Sequence, residues 1–117
     1  MRTLLILAGM VSLAQAQWPP AGMRCPQRTL VLSEFAENAA NTAQFAAEHL
    51  GYMLGLMKSG KVISAGPMED HHTAAILFAT KDWSEAEEML KKEPFHREHV
   101  LKVASHSVWN ACEAAPR

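Results

Sequence analysis

The sequence predicts an α+β domain of ferredoxin-like order, β-α-β-β-α-β. Two observations carry this. Two stretches repeat apolar residues at spacings of three and four, and four short stretches rich in apolar and β-branched residues lack that period. The order in which they alternate is that of the split β-α-β arrangement. With 117 residues, 49% hydrophobic and 20% charged, the chain suits one globular domain. A net charge of -1 offers no basic field for a phosphate backbone, so nucleic acid is excluded as an expected partner.

The N-terminus reads as a signal peptide over residues 1–16. Arg2 precedes an apolar stretch, too short to span a bilayer as a stable helix, that ends in Ala14-Gln15-Ala16. The expected mature protein is exported, to the periplasm or the outside, with no membrane segment after signal removal. Residues 17–28, with Trp18-Pro19-Pro20, read as an extended leader, 29–112 as the domain and 113–117 as a tail.

Within the domain, Thr29 to Phe35 lacks a helical period and reads as the first strand. Over residues 41–59, Ala43, Ala46, Ala47, Leu50, Met53, Leu54 and Met57 fall on one helical face, which is the expected core face. Gly60 stands where a C-terminal cap glycine belongs. Lys61 to Ala65, closed by Gly66-Pro67, and Thr73 to Thr80 read as two strands that pair. Asp82 with Glu85 forms a capping-box pattern opening a second helix, which turns Trp83, Ala86, Met89 and Leu90 inward. Pro94 opens a further short helical turn, and residues 102–110 read as the last strand.

Beside the expected core face of the first helix runs another stripe, Phe45, His49, Tyr52 and Leu56. It faces a partner subunit or a pocket, or else it packs under a neighbouring loop with His49 as a satisfied boundary histidine. The pocket alternative makes Phe45 and Tyr52 substrate contacts. A small domain with such a stripe has surface left to bury, which predicts a homodimer.

Several pieces in order resemble one family. They are Glu48-His49-Leu50, Ser59-Gly60-Lys61, Ser64-Ala65-Gly66-Pro67-Met68, Asp70, Asp82-Trp83-Ser84-Glu85-Ala86 and Glu93-Pro94-Phe95. Together they are similar to the YCII-related (YciI-like) family. The resemblance implies a ferredoxin-like subunit that pairs into a dimeric α/β barrel, with an active-site cleft near the helix histidine. It implies lyase-, dehalogenase- or isomerase-like chemistry on a small ring-derived compound, and a non-catalytic ligand-binding or structural dimer is the other reading. His49 matches the family's candidate catalytic histidine, Asp70 the acid that follows Gly-Pro, and Glu34 a position where relatives carry Asp. Gly66 and Pro67 join Phe45 and Tyr52 as candidate substrate contacts. Two positions depart from the pattern: Ala46 stands where some relatives carry arginine, and Glu93 replaces the Asp of Asp-Pro-Phe.

The chemistry follows if a carboxylate holds one imidazole nitrogen while the other exchanges a proton with substrate. No Gly-x-Ser-x-Gly elbow supports a serine nucleophile, and no glycine-rich loop supports a nucleotide, so no cofactor is expected. His71, His72, His96 and His99 offer pairs of potential metal ligands, but without a His-Glu-x-x-His pattern they read as solvated surface histidines, and no metal is expected. Cys25 precedes the first strand and Cys112 follows the last. These strands are neighbours in a ferredoxin-like sheet, so a disulfide is geometrically open to the pair; two free or intermolecular thiols are the alternative.

Overall fold

The computed structural model describes residues 17–37 and 40–116, so the signal peptide expected at 1–16 lies outside the described residues. The described chain falls into two compact units.

The larger unit, Gln27–Asn110, is built from β2 (Gln27–Phe35), α1 (Ala40–Lys58), β3 (Val62–Pro67), β4 (Thr73–Phe78), α2 (Trp83–Lys92), α3 (Pro94–Arg97) and β5 (Leu101–Asn110). Its four strands lie in the order β3-β4-β2-β5, all neighbours antiparallel. With the two long helices as crossovers, this is the ferredoxin-like order expected from the sequence. Alternation along β2 and β4 buries Thr29, Val31, Ser33, Ala74, Ile76 and Phe78, while Leu30, Leu32, Ala75 and Leu77 on the other face stay half-buried. A register shift between Leu32 and Ser33 against β5 bends the sheet beside Ser33.

One core cluster joins Val31, Met53, Val62, Ile76, Phe78, Ala86 and Leu90, and a second joins Ala74, Phe95, Val100 and Leu101. α1 contributes to both, with only part of the expected face: Ala46, Met53 and Met57 pack into the clusters, and the rest of that face does not. Leu50 and Leu54 are 59% and 52% exposed, and Ala43 and Ala47 are exposed too. Phe45, His49, Tyr52 and Leu56 are half-buried instead, with Met53 fully buried beside them. The two stripes compete for the sheet, and the aromatic one removes more apolar area from water per residue than the alanines do.

α1 stops at Gly60, whose φ of 77° lets the Gly60 N–H reach the Met57 carbonyl at 3.1 Å and the Lys61 N–H reach that of Leu56 at 2.9 Å. α2 starts at Asp82, whose carboxylate accepts the Ser84 N–H at 3.0 Å.

Gln27 and Arg28 open β2 in the larger unit, while the smaller unit contains residues 17–26 of the expected leader and the described part of the expected tail. Here they form structure: β1 (Met23–Arg24) pairs antiparallel with β6 (Glu113–Ala114), and Arg24 Nε donates to Glu113 Oε1 at 2.7 Å. Cys25 and Cys112 are joined by a disulfide. Among the described residues no helix is long and apolar enough to cross a membrane.

Candidate functional site

The chain turns a corner at Glu93, which caps the C-terminus of α2 and the N-terminus of α3 at once. Its own N–H reaches back to the carbonyls of Met89 and Leu90, and Pro94, which has no N–H to satisfy, fills the first position of α3. The side chain must then serve the free amides of α3. It accepts from Phe95 N–H at 3.0 Å and His96 N–H at 3.3 Å.

Two imidazoles complete the shell of this carboxylate, which is 1% exposed. His49 Nδ1 donates to Oε2 at 2.8 Å and His96 Nδ1 donates to Oε1 at 2.7 Å. An ionised carboxylate only accepts, so in each neutral ring the proton is on Nδ1 and the lone pair on Nε2. Burial alone would push the Glu93 carboxyl up, but the His49, His96 and Phe95 hydrogen bonds outweigh it and hold the group at about 2, well below its ordinary 4.5.

His49 stacks flat on Phe95, ring centres 3.9 Å apart, and keeps 21% of its side chain exposed. His96 is nearly closed off at 6%, with its Nε2 2.8 Å from the buried Ser33 hydroxyl. His96 is therefore not the solvated surface histidine that its place at a helix end suggested: the turn of α3 carries it back over β2.

Of the candidate catalytic acids Asp70 and Glu34, neither meets His49; the carboxylate that does is Glu93. Asp70 is spent in its own turn, where Oδ1 accepts from the His72 and Thr73 amides and Oδ2 from the Thr73 hydroxyl, each at 2.9 Å. Those bonds, the His72 amide first, hold its carboxyl below the ordinary range. Glu34 is exposed near the end of β2, on a groove shared with His96 and His72. Phe45 packs against the second core cluster. Tyr52 packs against the first and donates its hydroxyl to the Met89 carbonyl at 2.9 Å, with burial and then the nearby Glu93 charge raising its phenol above the ordinary value. Gly66 and Pro67 are exposed at the end of β3. Among the described residues one broad groove runs beside Tyr52, Leu56 and Lys61 and another beside His96; His49 lines neither. Among the described residues, no three His, Cys, Asp or Glu side chains converge to hold a metal ion.

Fold and site together define a ferredoxin-like α+β domain carrying a histidine whose Nδ1 is engaged by a buried carboxylate. The chain belongs to the YCII-related domain family, which it matches over residues 28–110. Its fold is similar to that of 5-chloro-2-hydroxyhydroquinone dehydrochlorinase from Burkholderia phenoliruptrix, solved in complex with 2,5-dihydroxybenzoquinone. The TM-score is 0.53 at 18% identity, covering 69% of this chain and 89% of that one. No curated protein matches the chain.

Proposed function

We propose that this is an exported YCII-related protein in which His49 acts as general base on a small ring-derived substrate, in lyase-, dehalogenase- or isomerase-like chemistry. The observation that carries it is the 2.8 Å bond from His49 Nδ1 to a carboxylate that stays ionised at neutral pH. This contact presents Nε2 as the basic atom and stabilises the imidazolium formed when it takes a proton. In a dehydrochlorination, Nε2 would take the substrate proton while chloride leaves with the C–Cl electron pair, a net loss of HCl. The dehydrochlorinase with the similar fold makes that reaction the first to try. A homodimer is part of the reading, because the half-buried Leu30, Leu32, Ala75 and Leu77 give the sheet a second apolar face for another copy. Export rests on the signal-like residues 1–16 and on the use of both cysteines in a disulfide.

The packing of Phe45 and Tyr52 into the core favours a second reading, a non-catalytic ligand-binding or structural dimer. The test is chloride release from a panel of chlorinated dihydroxy- and trihydroxybenzenes. Turnover that falls about 10²–10⁴-fold in His49→Gln supports the base. Turnover unchanged in that variant, or none across the panel, moves the protein to the second reading.

A further inference from the structure

We infer that His96, held between Ser33 and Glu93, is a positioning residue for His49: through the shared carboxylate it keeps His49 in the Nδ1–H tautomer. The inference deepens the reading of His49 as the base, and rests on that reading for its functional meaning.

The geometry leaves Glu93 little freedom. His96 Nδ1 and the His96 amide both reach Oε1, while His49 Nδ1 and the Phe95 amide both reach Oε2. With both oxygens occupied, the carboxylate cannot rotate to release His49, so a group that never touches substrate fixes the ring that would. His96 is itself fixed at its far nitrogen by Ser33, at 2.8 Å. A hydroxyl can donate to Nε2 of the neutral ring or accept from Nε2–H of the cation, so this contact survives either state.

The test is nitrogen-15 and carbon-13 NMR of the purified protein labelled in its histidines, recorded where the rings are neutral. Both rings should appear as Nδ1–H tautomers, the less common form in free histidine. His96→Asn, whose amide can still donate where Nδ1 did, should leave His49 in that form, whereas His96→Ala, which frees Oε1, should let the Nε2–H form of His49 appear. Nε2–H tautomers in the wild type, or a His49 that stays wholly Nδ1–H in His96→Ala, would each overturn the inference. The wild-type spectra alone decide the tautomers, so a variant that fails to fold leaves the test intact. No turnover is read: an inert protein with these spectra would refute the enzymatic reading and leave this one standing.

Discussion

Glu93→Gln is the most informative single change, because it removes one charge and almost no volume from a site where four donors converge. Its carboxyl is held at about 2 against an ordinary 4.5. A depressed carboxylate stabilises the fold fully above the unfolded value and progressively less as pH falls through the folded one. Taken at face value the difference is roughly 3 kcal/mol, and with allowance for solvent screening about 2–3 kcal/mol. About 60% of it is gone by pH 3. Glutamine cannot accept from both rings at once, since its amide end meets an Nδ1–H, so a clash or a forced tautomer change is added to the lost charge. The expected outcome is a loss of about 2–4 kcal/mol at pH 7 that shrinks by about 2 kcal/mol at pH 3, read from urea unfolding of both proteins at each pH. A variant within about 0.5 kcal/mol of wild type at pH 7, or a deficit that does not shrink in acid, would refute the assignment of Glu93 as the ionised anchor of the two imidazoles.

Other outcomes follow from the packing. Phe78→Ala, at a position 1% exposed in the main core, should lose about 3–5 kcal/mol by chemical denaturation. Removing the Cys25–Cys112 bond, which joins residues 87 apart, by Cys25→Ser with Cys112→Ser should lose up to about 4–5 kcal/mol in the chain-entropy limit; peptide mapping without reduction should recover the linked pair from exported protein. Sedimentation at micromolar concentration should give twice the monomer mass, and Leu77→Glu on the open sheet face should give the monomer. A wild-type monomer would remove the second-copy face from the account.

The strands and helices were legible because each carries its own period and stop signal. Gly60 and Asp82 act at the helix ends where their chemistry predicts, and the apolar stretch 74–78 lies in a central strand. The buried face of α1 was legible only in part, through Ala46, Met53 and Met57. Ala43, Ala47, Leu50 and Leu54 have the spacing of a core stripe, and no rule of spacing says that a neighbouring aromatic stripe will take the sheet instead; only the packing against Phe95 and Met89 decides it. His49 stood out as a lone histidine within that aromatic stripe. Its partner did not, because Glu93 lies 44 residues away and Asp70 is the more conspicuous acid beside a Gly-Pro turn. A signal was present: an acid directly before a proline that opens a helix is an N-cap, its carboxylate is drawn inward by the amides, and a histidine three residues on lies over the same turn. That pattern in Glu93-Pro94-Phe95-His96 would have found both Glu93 and His96.

The central claim, that His49 Nε2 meets a small-molecule substrate while Glu93 holds Nδ1, is tested most directly by a crystal structure of the protein soaked with 2,5-dihydroxybenzoquinone. The ring should bind beside Phe95 with an oxygen within hydrogen-bond distance of His49 Nε2, and Nδ1 should stay on Glu93. A quinone bound elsewhere with His49 untouched, or His49 turned away from Glu93, would contradict it.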